Sequence, residues 1–446
     1  AGSMADCDVT IIGGGVVGMA ILRELTCRYD GLKVICLEAK EDICMGASSG
    51  NSGILCTGYD APEGSLERHC LSLSMSEMHE VVDQMCCPAV RSGAMVIAWK
   101  DEERELLPKL LQDNLDIGDT GARILSAEEL YERESRIRRG AKGALLVPGE
   151  TVLDSWFYVL SLANSALQHG AEIVQNARIS KVCRIKDQDS KVVGWELLTD
   201  RNQTFRTKFV INAAGNFADK VETLRYPQGS QVPFTIRPRR GQYAVFAGHD
   251  GEDVSFLPPL QPIPSSETKG VYIFQSVYGN IVCGPTAEDV DERDEPTTCS
   301  TTIANLVKYA RQLVPSLQDM DVAGSYAGLR PATEFRDYQI KGSEDENWIT
   351  VAGIRSTGVS ASLGIGQYVV SLLKRMRQAP PALKRDRSLQ PKNIKALPSP
   401  RELISNKLFT HDDCGEMRVI MDGQVRMVSH PLARFGMQRL IKLMKR

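Results

Sequence analysis

The stretch "CDVTIIGGGVVGMAILRELTCRYDGLKVICLEAKE", residues 7–41, decides the fold. Val9, Ile11 and Ile12 spell a short strand, glycines follow at positions 13, 14, 15 and 18, and Met19 to Leu25 carries apolar residues at helical spacing. The reading is strand, tight turn, helix. In such a unit Gly13 permits the turn, Gly15 lets the backbone approach a pyrophosphate, and Gly18 lets the helix lie close to the strand. The helix N-terminus adds unpaired N–H groups that suit phosphate. A second strand over 33–37 ends at Glu38, where a carboxylate can accept hydrogen bonds from the ribose hydroxyls of an adenosine. A glycine-rich turn alone would say little; flanked by this strand, helix and acid, it predicts dinucleotide binding.

The next stretch separates the dinucleotides. After its second strand a nicotinamide dehydrogenase would continue alternating strands and helices, but this chain runs into "GASSGNSGILCTGYD", residues 46–60. The small residues Gly46, Ala47, Ser48, Ser49, Asn51, Ser52 and Gly53 expose backbone N–H groups and hydroxyls able to line an extended cofactor closely, which points to FAD. Two later stretches fit the same cofactor. In "TKFVINAAGNFADKVETL", residues 207–224, a buried strand turns through Ala213, Ala214 and Gly215 into a helix. In "NWITVAGIRSTGVSASLGIGQYVVSLL", residues 347–373, a strand leads through Gly353 to a helix whose start, Gly358, Val359 and Ser360, can stabilise negative charge on a reduced isoalloxazine ring.

Composition bounds the rest. A chain of 446 residues predicts two or three folding units, and 42% hydrophobic with 24% charged residues is ordinary for a globular protein. A net charge of -3 predicts no general attraction to nucleic acid or anionic lipid. The twelve cysteines are scattered without C-x-x-C spacing, and the six histidines form no zinc motif, so no metal site is expected. Thiols of this kind suit a reducing compartment. With no secretory segment and no apolar run of spanning length, the expected location is intracellular, cytoplasmic or mitochondrial. Ala1, Gly2 and Ser3 before Met4 read as a cloning scar.

Seven motifs in one order carry a resemblance: "IIGGGVVG" (11–18) with Glu38, "NSGILCTGYD" (51–60), "FVINAAG" (209–215), "PRRGQY" (238–243), "CGPTAEDVDE" (283–292), "YAGLRP" (326–331) and "AGIRSTGVSASLGIG" (352–366). Together they resemble the D-amino-acid-oxidase-like superfamily of FAD-dependent oxidoreductases, on the branch of glycerol-3-phosphate and L-2-hydroxyglutarate dehydrogenases. The resemblance implies an α/β chain, α+β overall. Its Rossmann-like FAD-binding domain would comprise 4–90, 145–230 and 322–376, interleaved with a mainly antiparallel β substrate domain of 91–144 and 231–321. Residues 377–446 would add a proline-rich wrapping segment and a basic C-terminal helix. Independently, "SGAMVIAW" (92–99) and "RGQYAVF" (240–246) read as strands without helical partners, while "DSWFYVLSLANSALQHG" (154–170) and "TTIANLVKYARQLVP" (301–315) read as helices.

On the substrate side, the resemblance implies that Arg330 in "GLRP" anchors an anion, and a guanidinium matches carboxylate or phosphate bidentately. The competing reading pairs Arg330 with Glu334. Arg239 is a second anchor candidate among three neighbouring arginines, and Tyr243 could face the same cavity. Cys56 stands where relatives usually carry histidine, so the role of proton acceptor does not transfer to it. The expected reaction is oxidation of the CH–OH group of a small anionic substrate. Glycerol 3-phosphate is placed first and L-2-hydroxyglutarate second, with amines as a further class and a catalytically silent flavoprotein as the alternative. The electron acceptor would be a quinone, oxygen or a protein. Cys414 is the only cysteine after Cys299, too few to hold an iron–sulfur cluster. The terminal "PLARFGMQRLIKLMKR" (431–446) reads as a basic amphipathic helix that either docks on the protein or contacts a membrane surface.

Overall fold

The computed structural model describes residues 6–248, 255–265, 270–384, 394–411, 416–421 and 423–444. The predicted opening unit forms as strand Cys7–Ile12, helix Val16–Arg28 and strand Val34–Leu37. Cys7–Ile12 pairs parallel with Val34–Leu37 on one side and with Thr204–Asn212 on the other. Glu172–Val174 extends this parallel core at one edge, and Trp348–Ala352 at the other. Val34–Leu37 and Trp348–Ala352 are buried on both faces, which is why they read as near-continuous apolar runs. An antiparallel pair, Ile179–Lys186 and Val192–Thr199, is laid against the N-terminal half of Thr204–Asn212. Helices Val16–Arg28, Leu66–Gln84, Ser155–Gln168 and Gly358–Arg375 contribute to one hydrophobic core with this sheet, built on Met19, Leu22, Trp156, Phe157, Ile365 and Val369.

Among the described residues a second sheet counts nine strands, antiparallel except where Leu260–Pro262 runs parallel to Ala94–Ala98. Its organising strand, Arg239–Phe246, alternates strictly. Ala244 and Phe246 face a core completed by Leu306, Ala310 and Leu313 of helix Ser300–Leu313. Tyr243 and Val245 face the other way, with Tyr272, Phe274 and Tyr326, toward Ile54 of the first unit. That second face roofs the cavity described below.

The fold class is the expected one: a Rossmann-like α/β unit with a mainly antiparallel second sheet. Two segment assignments need correction. Val322–Arg330, placed with the FAD-binding segment 322–376, pairs along its length with Arg239–Phe246 in the second sheet. Gly143–Val147 likewise pairs along its length with Ala94–Ala98 in the second sheet, so the expected boundary at 145 falls inside a strand of that sheet. Strand pairing is non-local, and a single strand's sequence does not name its partner.

Of the expected wrapping segment, 385–393 lie outside the described residues, and the rest of the tail carries structure of its own. Lys395 exchanges hydrogen bonds with Gln168 and accepts one from Asn164 on helix Ser155–Gln168. Beyond it stand helix Pro400–Ser405, a three-stranded sheet, and helix Pro431–Met444. That last helix is docked. Leu432, Ala433, Met437 and Leu440 are buried, Phe435 packs over Gly324, and Arg439 donates to the Ala247 carbonyl. Its apolar face therefore meets protein, the first of the two expectations for it. Among the described residues no helix is long and apolar enough to cross a membrane. Met4 and Cys414 lie outside the described residues.

Candidate functional site

A cavity of about 840 Å³ runs between the two sheets. At one end it meets the glycine turn. Gly13 has φ +113°, and a Cβ there would sit 2.5 Å from the Ala213 carbonyl oxygen. At Gly18 a Cβ would lie 1.9 Å from the Gly13 carbonyl oxygen, so the helix can approach its own turn only without a side chain. Gly15 differs in kind. It lines the cavity, and a Cβ there would meet only Ser48 Oγ, at 3.1 Å. Bare backbone at Gly15 is thus kept for something in the cavity, which is the cradle a pyrophosphate needs. Glu38 also lines the cavity and accepts hydrogen bonds from Gly14 N at 2.6 Å and Lys40 N at 2.8 Å. Burial pushes its pKa up, against the pull of those two N–H groups.

The stretch 46–53 folds as a tight loop along the cavity wall. Ser48 Oγ accepts from Val16 N, Asn51 Nδ2 donates to the Ser48 carbonyl, and Gly53 N donates to Asn51 Oδ1. Gly50 crosses Gly328 so closely that a Cβ would come within 2.5 Å of the Gly328 Cα. Ala47, Ser48, Asn51 and Ser52 line the cavity, joined by Ala214, Gly215, Gly353, Gly358 and Val359. The last two open helix Gly358–Arg375, which presents the positive end of its dipole there.

Three residues expected to touch the cofactor are not among those lining the cavity. Gly18 serves the helix–turn approach. Gly53, at φ +70°, brings the chain against the Leu153 carbonyl. Ser360 accepts a hydrogen bond from Cys56 N at 2.9 Å, tying the helix start to the wall segment.

The far end gathers Cys56, Arg239, Tyr243 and Arg330, all expected, with Tyr272 and Asp60, which were not. Arg239 and Arg330 are opposite each other in register on adjacent antiparallel strands. Like charges so placed repel unless an anion lies between them. Glu334 does not neutralise Arg330, because its carboxylate accepts from Thr235 N instead. Arg330 donates to the Thr286 carbonyl and has no ion pair among the described residues. Its guanidinium lies across Gly241, where a Cβ would come within 2.5 Å of it. Arg240 points away and pairs with Glu288. Arg239 has only a loose contact, 3.7 Å, with the exposed Asp289. Burial raises the Tyr243 phenol above its usual range although Arg330 beside it pulls the other way, so the phenol stays protonated. Tyr243 stacks on Tyr326, with ring centroids 4.4 Å apart and planes 7° from parallel. The alternation in "GVYIF" could have flagged Tyr272 as facing the same way as Tyr243; nothing local marks Asp60. The described residues contain no cluster of histidine, cysteine and acid able to hold a metal ion.

The residues present fit FAD: a backbone cradle and an acid at one end, a small-residue wall along the length, and a helix N-terminus near the other end. Comparison with known proteins agrees. The sequence matches the family described as "DAO: FAD dependent oxidoreductase" over residues 8–372. It is 33% identical over 368 residues to the glycerol 3-phosphate dehydrogenase of Caloramator mitchellensis, covering 82% of this chain and 74% of that one. It is 25% identical over 404 residues to the L-2-hydroxyglutarate dehydrogenase of Indibacter alkaliphilus, covering 82% and 98%. Among solved structures, the dithionite-reduced L-alpha-glycerophosphate oxidase of Mycoplasma pneumoniae, with FAD bound, superposes with a TM-score of 0.74 at 26% identity, covering 84% of this chain and 96% of that one. On the match over 8–372 and the cradle that fits its cofactor, this chain belongs to the DAO family of FAD-dependent oxidoreductases.

Proposed function

We propose that the protein oxidises the CH–OH group of a small anionic alcohol, with glycerol 3-phosphate as the substrate class, and that Arg330 and Arg239 hold its anion. The observation that carries this is the cross-strand arginine pair, one member without an ion pair among the described residues, facing a cavity that also receives the cofactor. Two guanidiniums present more donors than one carboxylate can use, which favours a phosphate over a lone carboxylate. The more similar of the two curated relatives, a glycerol 3-phosphate dehydrogenase at 33% identity against 25% for the L-2-hydroxyglutarate dehydrogenase, supports the same order.

Bound FAD supplies the acceptor for the hydride that leaves the carbinol carbon. This chain's residues do the rest. The arginines fix the anionic end, while Tyr243 and Tyr272 wall the space. Cys56 belongs to the wall: its Sγ lies 3.9 Å from the Ile54 carbonyl and its N–H is spent on Ser360. We assign the hydroxyl proton to solvent rather than to this thiol.

The test is anaerobic mixing of the purified holoprotein with glycerol 3-phosphate, L-2-hydroxyglutarate and an amino acid in separate experiments. Fastest bleaching of the flavin band by glycerol 3-phosphate is expected. Bleaching by the amino acid alone would transfer the reading to C–N donors, and bleaching by none would leave a silent flavoprotein. Re-oxidising the reduced protein with oxygen, a quinone analogue or a redox protein in turn identifies the acceptor.

A further inference from the structure

The family match ends at residue 372, yet the chain beyond it returns to the cofactor wall. Arg426 donates to Asp42 Oδ1 and Met427 N to Asp42 Oδ2, both at 2.8 Å. Ser429 Oγ donates to the Cys44 carbonyl at 2.7 Å. The Met427 carbonyl in turn accepts from the buried Trp156 indole, which fixes this strap to the first core. Residues 42 and 44 lead directly into the loop 46–53 that lines the cavity.

His430 completes the arrangement. It is 2% exposed, and its Nδ1 accepts from Leu432 N at 3.1 Å, capping helix Pro431–Met444. That bond places the ring proton on Nε2, which makes no hydrogen bond of good geometry among the described residues and faces the Asn51 carbonyl. Burial pushes the imidazole pKa down to about 3, against a smaller upward pull from that carbonyl, so the ring is neutral near pH 7. The same Asn51 carbonyl accepts from Tyr326 Oη at 2.9 Å. The imidazole meets the Tyr326 ring edge-on at 5.8 Å, and Tyr326 stacks on Tyr243 of the anion end. One carbonyl on the cofactor wall is therefore bonded by Tyr326 and faced by His430, groups from two other parts of the chain.

We propose that residues 426–430 are a positioning strap for the flavin site, with His430 as the positioning residue that fixes the Asn51 carbonyl on the cofactor wall. Such a group acts through the loop, and its loss is felt as looser cofactor geometry. The inference rests on FAD binding and is independent of which alcohol is oxidised.

The two imidazole nitrogens make the test decisive. In the full chain, His430→Asn keeps an acceptor where Nδ1 sits, and so keeps the helix cap, but is too short to reach Asn51. His430→Gln places a donor where Nε2 sits. The expected result for His430→Asn is an apoprotein that melts like wild type, an FAD dissociation constant raised about tenfold, and a displaced flavin spectrum and reduction potential. His430→Gln should recover most of the affinity. Arg426→Met, which leaves His430 in place, should weaken FAD in the same direction and by less. Wild-type affinity and spectrum in His430→Asn would overturn the proposal, as would His430→Gln behaving worse than His430→Asn, since that order marks a capping role only. A wild-type chain that binds no FAD would overturn the cofactor assignment instead.

Discussion

The two ends of the cavity are built by opposite means. The proposed phosphate end is local: Gly13, Gly15, Gly18 and Glu38 follow one another through a single strand–turn–helix–strand unit, and there backbone, with one carboxylate, would do the recognition. The proposed anion end brings together Cys56, Arg239, Tyr243, Tyr272 and Arg330, distant in sequence, with Arg239 and Arg330 joined by strand register, and there side-chain charge would do the recognition. One methyl group should break the first end. The second should fail when a charge or its geometry is altered.

The largest expected effect is at Gly18. Gly18→Ala puts a methyl 1.9 Å from the Gly13 carbonyl oxygen, so helix and turn must part. The cost should be about 3 kcal/mol, with loss of FAD, read by denaturant unfolding and flavin content. Gly15→Val sharpens the point: its side chain meets little within the protein, so the fold should persist while the purified protein loses its yellow colour. A yellow, stable Gly15→Val protein would refute the cradle. At the other end, Arg239→Met should raise KM about tenfold with kcat and flavin content nearly unchanged. Relief of the arginine repulsion should leave the apoprotein melting no lower than wild type.

A pH effect separates the ends further. Burial raises the Glu38 pKa in the apoprotein, so as pH falls through that raised value the acid gains a proton and loses acceptor capacity toward ribose. FAD affinity should decline on acidification, beginning above the ordinary carboxylate range, and Glu38→Gln should flatten the dependence; a wild-type affinity constant across that range would refute Glu38 as the ribose acceptor. The smallest effect is expected at Cys56. Cys56→Ser should keep flavin and most activity, whereas complete loss of flavin reduction with FAD retained would make the thiol a participant.

The same contrast explains what the sequence disclosed. Residues 7–41 were legible because every requirement of the phosphate end is local. The second sheet was legible as strands, since alternation in "RGQYAVF" survives without knowing the partner. The partner was not legible, which is why Val322–Arg330 was grouped with the wrong unit and why the opposition of Arg239 to Arg330 emerged only from register. Glu334 competed for Arg330 on proximity in sequence alone; its carboxylate is taken by Thr235 N. The terminal helix shows a further limit: Leu432 and Leu440 form the same stripe whether protein or lipid covers it. His430 left no signal at all, because a buried neutral histidine and a surface one look alike in sequence.

The most direct test of the anion end is single-turnover flavin reduction by glycerol 3-phosphate in wild type and Arg330→Lys, followed anaerobically over a range of substrate concentrations. Lysine keeps the charge and loses the planar fork. If Arg330 anchors the anion, flavin content should be equal, the limiting rate within a few-fold of wild type, and half-saturation moved about tenfold or more to higher concentration. Unchanged half-saturation in Arg330→Lys would contradict it.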